Sequence, residues 1–414
     1  MKKLLIIFCT PLLLFAQEGQ HKVTWNSNFL FESNGLDKSF LNSMLYGGLI
    51  TEEQKINWIN AGDEINKVNF ELTNSLSYSY LTQNFNKYSF SFSDRNIFNS
   101  SFSDDLLKFA FQGNYNYQGD TLNFDNTVIR ADRFQQYKFG YSRAFLISDK
   151  LIETEMAISY LNGNHHLSYI LDKGSLYTAP FGTYLDIEYD MNSFVTDTSD
   201  FSALANNGNG LAIDFSTDFR IKEYDIHLSV TDLGFIMWNT SSITLATDSN
   251  FSFQGIEVDD IFNFNDSVIE ANNIIDDVSK TNTASFKSYI PATIHLSISG
   301  ETKHKYLKTY TAGIVAKWQP YMDDEPLSFA KINQGLKESN FSPLYYIHSV
   351  LNTKYYNIIP TLSYGGYSED GNIGLALSRG EKNKFIIGTH HLEDVFKGKE
   401  SKAASIYFSL TKYF

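Results

Sequence analysis

The chain has 414 residues, a single cysteine and a formal charge of −14 at pH 7. This acidic balance argues against a nucleic-acid or anionic-lipid binder, because contacts to phosphates need a basic face. At 43% hydrophobic, 15% aromatic and 19% charged residues, the sequence is also too apolar for a disordered chain.

The N-terminus is typical of a secretory signal peptide over residues 1–16. An apolar stretch over 4–15 follows two lysines, and Ala16 is a small residue at the expected cleavage point. The stretch is shorter than the ~20 residues that a membrane-spanning helix needs. Cys9 lies within it, so cleavage would leave a mature chain without disulfides, thiolate metal ligands or a cysteine nucleophile.

Residues 17–66 form the next predicted unit. It contains an alternating segment over 23–31 and a stretch with helical character over 36–62. Thr51 and Gln54 stand at the spacing of a capping box, in which each residue satisfies a backbone N–H of the other. We therefore expect a helix to begin at Thr51.

Apolar and polar residues alternate through most of the remaining chain. Over 69–80, for example, Phe70, Leu72 and Leu76 share one face, whereas serine and threonine residues dominate the other. A period of two is typical of a strand with one apolar and one polar face. The same pattern predicts thirteen strands: 69–80, 86–95, 134–146, 151–161, 209–219, 224–238, 286–299, 304–318, 343–350, 355–364, 371–379, 384–392 and 402–414.

The count and the connections predict a closed barrel. Adding the segment 23–31 gives fourteen strands, and a weaker hairpin across 165–190 would give sixteen; closed bacterial barrels use even numbers. Short links alternate with long ones, notably 239–285 and 319–342, and a helix is expected near 267–278 in the first of these. Short turns on one side and long loops on the other are typical of outer-membrane barrels.

The expected fold is therefore all-β: a closed transmembrane antiparallel barrel over 67–414 in the cell outer membrane, surrounded by outer-membrane lipids. Bilayer hydrocarbon offers backbone groups no partners, so only helices or closed sheets cross it, and the alternation excludes helices. A β-sandwich or β-helix shares the alternation, but a single sandwich of this length would be oversized. The segment 17–66 then becomes either a helical plug in the lumen or a periplasmic cap.

The C-terminus resembles the signal that the barrel-assembly machinery recognises in outer-membrane barrels. The last strand ends in an aromatic residue, and Lys412 occupies a position where that signal usually has an apolar residue. The resemblance implies that the machinery is a partner during biogenesis. The residues expected to carry the signal are Phe408, Leu410, Tyr413 and Phe414.

Two neighbouring stretches, 208–215 and 229–238, resemble a signature of uncharacterised outer-membrane barrels in bacteria that use type IX secretion and gliding. That family is similar in turn to the long-chain fatty-acid transporter barrels. The resemblance implies about fourteen strands with an N-terminal segment in or under the lumen, and it assigns no functional residues. The motif residues are Gly210, Asp214, Asp232, Gly234 and Trp238.

Catalytic patterns are absent from the sequence. There is no H-E-x-x-H, G-x-S-x-G or phosphate-binding glycine loop. The pairs His165-His166 and His390-His391 are poor metal sites, because adjacent strand residues point to opposite faces. The acidic clusters lack the spacing of a calcium loop. We therefore expect no cofactor, no metal and no enzymatic activity.

Three functions remain open at this point. The first is passive uptake of small solutes, hydrophobic ones among them, as the barrel size and the suspected plug indicate. The second is a non-catalytic subunit of an envelope complex for protein secretion, gliding or barrel assembly, with protein partners at the long loops. The third is an outer-membrane enzyme, which the lack of a catalytic arrangement disfavours.

Overall fold

Fourteen antiparallel strands close into a ring, and all strands of the described chain belong to one hydrogen-bonded sheet. The computed structural model describes residues 20–147, 150–196, 202, 204–253, 282–320, 328, 339–380 and 382–414. The strands are β1 (Gln20–Ser33), β2 (Ile65–Leu81), β3 (Asn86–Ser103), β4 (Thr121–Asn123), β5 (Thr127–Ile147), β6 (Lys150–Thr178), β7 (Leu185–Val195), β8 (Gly208–Ile221), β9 (Tyr224–Trp238), β10 (Ile243–Phe253), β11 (Asn282–Thr283), β12 (Lys287–Tyr289), β13 (Ala292–Glu301), β14 (Leu307–Trp318), β15 (Ser342–Asn352), β16 (Asn357–Gly366), β17 (Asp370–Arg379), β18 (Asn383–Thr389) and β19 (Ala403–Tyr413).

The ring closes through its first and last strands. β1 pairs with β2 on one side and with β19 on the other, so the ring has no free edge. β12 and β13 pair with β9 in one register and act as a single strand interrupted at Pro291, which has no N–H to donate. The closed fourteen-strand barrel is thus confirmed. Its order is β1, β2, β3, β5, β6, β8, β9, β13, β14, β15, β16, β17, β18 and β19.

A sheet extension continues beyond the ring. β8 pairs with β6 only as far as Gly208, which lies opposite Gly163. From there β6 continues to Thr178 and pairs with β7, which pairs in turn with β10. The predicted hairpin over 165–190 therefore exists, but it belongs to this extension and not to the ring. The sixteen-strand alternative is wrong for that reason.

The two ends of the barrel differ in their connections. One end, which we call the turn end, carries the start of β1, the end of β19 and the short turns 82–85, 222–223 and 353–356. The other, here the loop end, carries the long connections. Outer-membrane barrels place short turns in the periplasm and long loops outside the cell, which orients this barrel. The predicted loop 239–285 contains β10 and β11. The predicted signal peptide, the helix near 267–278 and most of 319–342 lie outside the described residues.

Helices of the described chain lie at the loop end. Three are of ordinary length and one has a single turn: α1 (Lys38–Tyr46), α2 (Glu52–Ala61), α3 (Asp104–Gln112) and α4 (Glu393–Lys397). The capping box before α2 is confirmed: the Gln54 N–H donates to Thr51 Oγ1 at 3.2 Å, and the Thr51 N–H donates to Gln54 Oε1 at 3.0 Å.

Within the described residues, no helix combines the length and the apolar character required to cross a bilayer.

The N-terminal helices pack on the outer surface of the wall. Phe31 lies on the same face of β1 as Trp25, which is 47% exposed on the outside of the barrel. Phe31, Phe102 and the buried Trp58 of α2 share one apolar cluster there. The segment is therefore neither a lumenal plug nor a periplasmic cap. Because β1 belongs to the ring, the barrel begins at residue 20 instead of residue 67.

Candidate functional site: the barrel lumen

Alternate residues of each ring strand face the lumen, because successive side chains of a strand point to opposite sides. The outward row that contains Trp25, Leu76 and Tyr137 is apolar and exposed. The adjacent row, which includes Thr24 and Ser77, is polar and faces the lumen. Toward the turn end, Ser77 and other polar side chains line a vestibule with a volume of about 400 Å³, together with the charged side chains of Lys22, Lys87, Lys138 and Glu155.

Two motif carboxylates meet two cations farther into the lumen. Arg95 Nη1 lies 2.6 Å from Asp232 Oδ2, and Lys138 Nζ lies 3.1 Å from Asp232 Oδ1. Lys138 also pairs with Asp214, whose Oδ1 accepts the backbone N–H of Asp232 at 2.8 Å. Gln136 Nε2 donates to Asp232 Oδ1 at 2.8 Å. We call these five residues the charged cluster, in which each charge has an opposite partner.

A β-bulge places Asp232 in the charged cluster. Ile213 lies opposite Leu233, but Phe215 lies opposite Val230, so β9 carries one extra residue here. Asp232 adopts a φ of 61°, in the left-handed region that aspartate tolerates better than most residues. Strand alternation does not predict this geometry, because the bulge breaks the period of two. The motif resemblance included Asp232 but assigned no role to it.

One ion pair crosses the full width of the lumen. Glu71 on β2 and Lys317 on β14 are seven places apart in the ring of fourteen, yet Lys317 Nζ contacts Glu71 Oε1. The wall is therefore flattened at this level, with opposite strands within the reach of two side chains. Tyr367, from the connection between β16 and β17, buries its ring beside the pair. Its hydroxyl donates to Glu71 Oε1 at 3.2 Å and accepts from Lys317 Nζ at 3.2 Å. We call these three residues the constriction.

Apolar side chains replace polar ones on the lumen wall toward the loop end. The Trp238 indole N–H donates to Ser288 Oγ at 2.8 Å. The ring lies against Gly163 and Gly208, where a Cβ would come within 2.5 and 2.7 Å of its atoms. We call this group the apolar layer; its buried members are Ile97, Phe134, Leu161, Ala212, Ile236, Trp238, Phe286 and Ile290.

The motif glycines lie where β8 and β9 approach each other closely. A Cβ on Gly210 would lie 2.1 Å from the backbone oxygen of Phe235. One on Gly234 would lie 2.3 Å from the backbone oxygen of Leu211. Both positions therefore exclude a side chain. The structure brings the motif together on one hairpin, with its aspartates in the charged cluster and its tryptophan in the apolar layer.

Two further contacts close the loop end of the lumen. The buried guanidinium of Arg130 donates to the backbone oxygens of Tyr289 at 2.5 Å and Pro320 at 3.2 Å. Asn340, just before β15, donates from Nδ2 to Asn99 Oδ1 on β3 at 2.7 Å. β3 and β15 are again seven places apart. In the described chain, individual side chains thus bridge the lumen toward the loop end, whereas the vestibule lies toward the turn end. Alternation on each strand gave no signal for these contacts between distant strands.

The lumenal histidine of the predicted pair at 165 and 166 is inaccessible. His166 Nδ1 lies 2.8 Å from Asp132 Oδ1, and both side chains are buried beside the rings of Trp238 and Phe286. Among the described residues, no group of three histidine, cysteine or acidic side chains is arranged to hold a metal ion.

The predicted assembly-signal residues lie on both faces of β19. Phe408 and Leu410 share the outward face with Trp25, their neighbour on β1. Tyr413 lines the vestibule instead, and Phe414 is exposed. Recognition of these residues by the assembly machinery stays a prediction.

Residues 17–328 match the Family of unknown function (DUF5723). The chain belongs to this family. The matched range includes the whole hairpin that carries the motif. No curated protein sequence matches the chain.

Solved structures similar to this chain have low sequence identity. A deltaS2S3 mutant of the monoaromatic hydrocarbon channel TodX is 8% identical with a TM-score of 0.45, covering 97% of this chain and 91% of that one. The toluene transporter TbuX of Ralstonia pickettii is 8% identical with a TM-score of 0.41, covering 96% and 89%. The toluene transporter TodX of Pseudomonas putida is 8% identical with a TM-score of 0.37, covering 97% and 89%.

The outer surface of the barrel agrees with the predicted location. Large apolar side chains are exposed on strands around the ring, among them Leu211, Ile347 and Leu362. Such a surface is unfavourable in water, and a closed sheet satisfies its backbone hydrogen bonds within hydrocarbon. The protein is an integral barrel of the outer membrane.

Proposed function

We propose that the protein is a passive channel for the uptake of small solutes, hydrophobic ones among them, across the outer membrane. A solute from the loop end would pass the apolar layer and the adjoining constriction and charged cluster, and would leave through the polar vestibule. One observation carries the proposal: individual side chains of the wall and of the connections make the contacts across the lumen. Each of them can move without unfolding the ring.

The order of these regions supports a solute that is small and at least partly apolar. Binding sites for small molecules are mostly apolar, with a few polar groups that fix orientation. Phe134, Trp238 and Phe286 are the aromatic side chains of the apolar layer; all three are buried, and a solute would contact them as the layer opens. The vestibule, which polar and charged side chains line, favours water, so that an apolar solute is bound weakly there and released.

A reversible cross-link across the lumen tests this proposal. Asn99 and Asn340 touch across the lumen, and the only native cysteine is Cys9, within the predicted signal peptide. The variant Asn99→Cys/Asn340→Cys would be joined by a short thiol-specific reagent with a reducible link. We expect influx of a small aromatic dye into proteoliposomes to fall on cross-linking and to recover on reduction.

The matched control places the link within the wall. Tyr80 and Tyr88 are directly paired on adjacent strands at the turn end and lie on the outward face with Leu76, so Tyr80→Cys/Tyr88→Cys should leave influx unchanged. Influx no greater than in empty liposomes, for the reduced variant and the native chain alike, would contradict the channel.

A second function is favoured by the surface of the loop end. Tyr46, Leu49 and Phe396 are 84%, 91% and 81% exposed, and exposed apolar side chains often mark protein interfaces. We propose as the alternative a non-catalytic subunit of an envelope complex for secretion, gliding or barrel assembly, including the type IX machinery that the motif resemblance implies. Purification in mild detergent should then give partners at fixed stoichiometry, and a lone monodisperse barrel would argue against it.

A further inference from the structure

The turn end carries a basic sector although the chain has a net charge of −14. The sector lies between β13 and β19, at the turns and the strand ends next to them. Among the described residues of this sector, Glu301 is the one acidic side chain. The cations of the sector are Lys303, Lys305, Lys308, Lys354, Arg379, Lys382, Lys384 and Lys412.

Four of these cations line one cavity, which has a volume of about 420 Å³. They come from β14, β17, β18 and the turn between β15 and β16, and none of the described residues that line the cavity is a carboxylate. The cations are Lys308, Lys354, Arg379 and Lys384. The other lining residues are Asn352, Thr353, Tyr355, Tyr356, Asn357, Ser378 and Gly380.

Tyrosine rings hold two of the cations. The Arg379 guanidinium lies 5.4 Å from the centre of the Tyr356 ring, and Lys354 Nζ lies 5.1 Å from that of Tyr355. Cation–π contacts of this kind are weak at exposed sites, on the order of 0.5–1 kcal/mol. They orient the side chains without neutralising their charge. Four like charges around one cavity repel one another, and an anion between them would relieve that repulsion.

We propose that this cavity binds a phosphate group at the periplasmic side of the barrel. The Arg379 guanidinium can donate two parallel hydrogen bonds to phosphate oxygens, and lysine ammonium groups act as point charges. The amides of Asn352 and Asn357 and the hydroxyl of Ser378 supply neutral donors. The phosphate belongs either to a phospholipid headgroup of the inner leaflet or to a phosphorylated solute. The proposal does not depend on the uptake function.

Two variants with the same charge change separate a site from general attraction. Lys354→Gln/Arg379→Gln removes two cavity cations, whereas Lys303→Gln/Lys305→Gln removes two cations from the neighbouring turn outside the cavity. The full-length protein in zwitterionic detergent is titrated with inorganic phosphate, and separately with micelles doped with phosphatidylglycerol or diacylglycerol. We expect the cavity variant to lose about tenfold in affinity for one of the phosphate probes, roughly 1.4 kcal/mol. The control should lose less than about threefold.

The two sources of phosphate give different results. Weakened binding of phosphatidylglycerol alone assigns a lipid headgroup, and weakened binding of inorganic phosphate assigns a free phosphorylated solute. Equal losses in both variants, or binding of diacylglycerol as strong as that of phosphatidylglycerol, would overturn the site. Lys308→Gln/Lys384→Gln repeats the test from the other side of the cavity, and heat-modifiable gel migration confirms that each variant is folded.

Discussion

Asp232 combines a left-handed backbone with a mostly buried charge, and each is unfavourable by itself. Its carboxylate pairs with Arg95 and Lys138 and accepts a hydrogen bond from Gln136. Without it, Lys138 would retain Asp214, and Arg95 would retain the weaker attraction of Glu71 and Asp214. The residue therefore determines both the path of β9 and the charge balance of the charged cluster.

The variant Asp232→Asn tests the charge by itself, because asparagine also tolerates the left-handed region. We expect the free energy of unfolding to fall by on the order of 3 kcal/mol, since breaking a buried pair leaves uncompensated charge. Chemical denaturation followed by tryptophan fluorescence measures the change. Asp218→Asn is the control, because Asp218 is 56% exposed and pairs with a histidine. Similar losses in the two variants would contradict a special role for Asp232.

The contact between Trp238 and the glycines beneath it gives a second prediction at this scale. In Gly208→Ala the new Cβ would lie 2.7 Å from Trp238 Cε3 and 2.9 Å from the Met237 backbone oxygen, and neither can move freely. We expect a loss of about 1–3 kcal/mol in the free energy of unfolding. Gly371→Ala should have little effect, because a Cβ at that position meets nothing within 4 Å. If Gly208→Ala left the free energy of unfolding unchanged, the indole of Trp238 would not lie against the wall.

Among the elements of the loop end, the connection from β18 to β19 is attached to the wall by a buried histidine. His391 Nε2 lies 2.9 Å from Glu32 Oε1, and its Nδ1 lies 3.3 Å from Glu393 Oε1 at the start of α4. Burial by itself would lower the pKa of His391, but the carboxylates of Glu32 and Glu393 outweigh it and raise the pKa above its usual value. The protonated form therefore stabilises this connection.

This attachment should depend on pH. A raised folded-state pKa contributes stability that is fully present below the unfolded value of about 6.5 and is lost as the pH rises through the folded value. The native chain should thus resist proteolysis between β18 and β19 better than His391→Gln at about pH 5.5, and the difference should shrink by about pH 8.5. Burial and the charge of His391 lower the pKa of the neighbouring His390, so the comparison is made in a His390→Gln background that removes its titration. A difference that grows with pH would contradict the assignment.

Local patterns predicted the elements better than their placement. The fourteen ring strands and the capping box at Thr51 follow from residues close in sequence, because alternation and capping are local. The side of the wall on which α2 packs depends on Phe31 and Phe102, and nothing in the helix specifies that surface. The constriction was missed for a similar reason. Glu71 and Lys317 are 246 residues apart in sequence, and no local pattern relates them.

For the whole molecule, the last residue is expected to decide whether the barrel reaches the membrane. Phe414→Ala should reduce the amount of heat-modifiable barrel in the outer-membrane fraction, because it removes the terminal aromatic residue of the predicted assembly signal. Immunoblots of fractionated cells measure this. Phe396→Ala, which removes an exposed aromatic residue at the opposite end, is the control and should leave the amount unchanged. If the outer-membrane fraction contained a normal amount of the Phe414→Ala barrel, Phe414 would not be part of the signal.

Closure of the ring also imposes an order on folding. The Oγ1 atoms of Thr24 and Thr411 lie 3.1 Å apart in the β1–β19 seam although 387 residues separate them in sequence. Such a contact has the highest entropic cost of any strand pairing in the barrel and is expected to form last. Until then both seam strands are unpaired edges, open to pairing with another chain. The newly made protein is thus most at risk of aggregation just before its two ends meet.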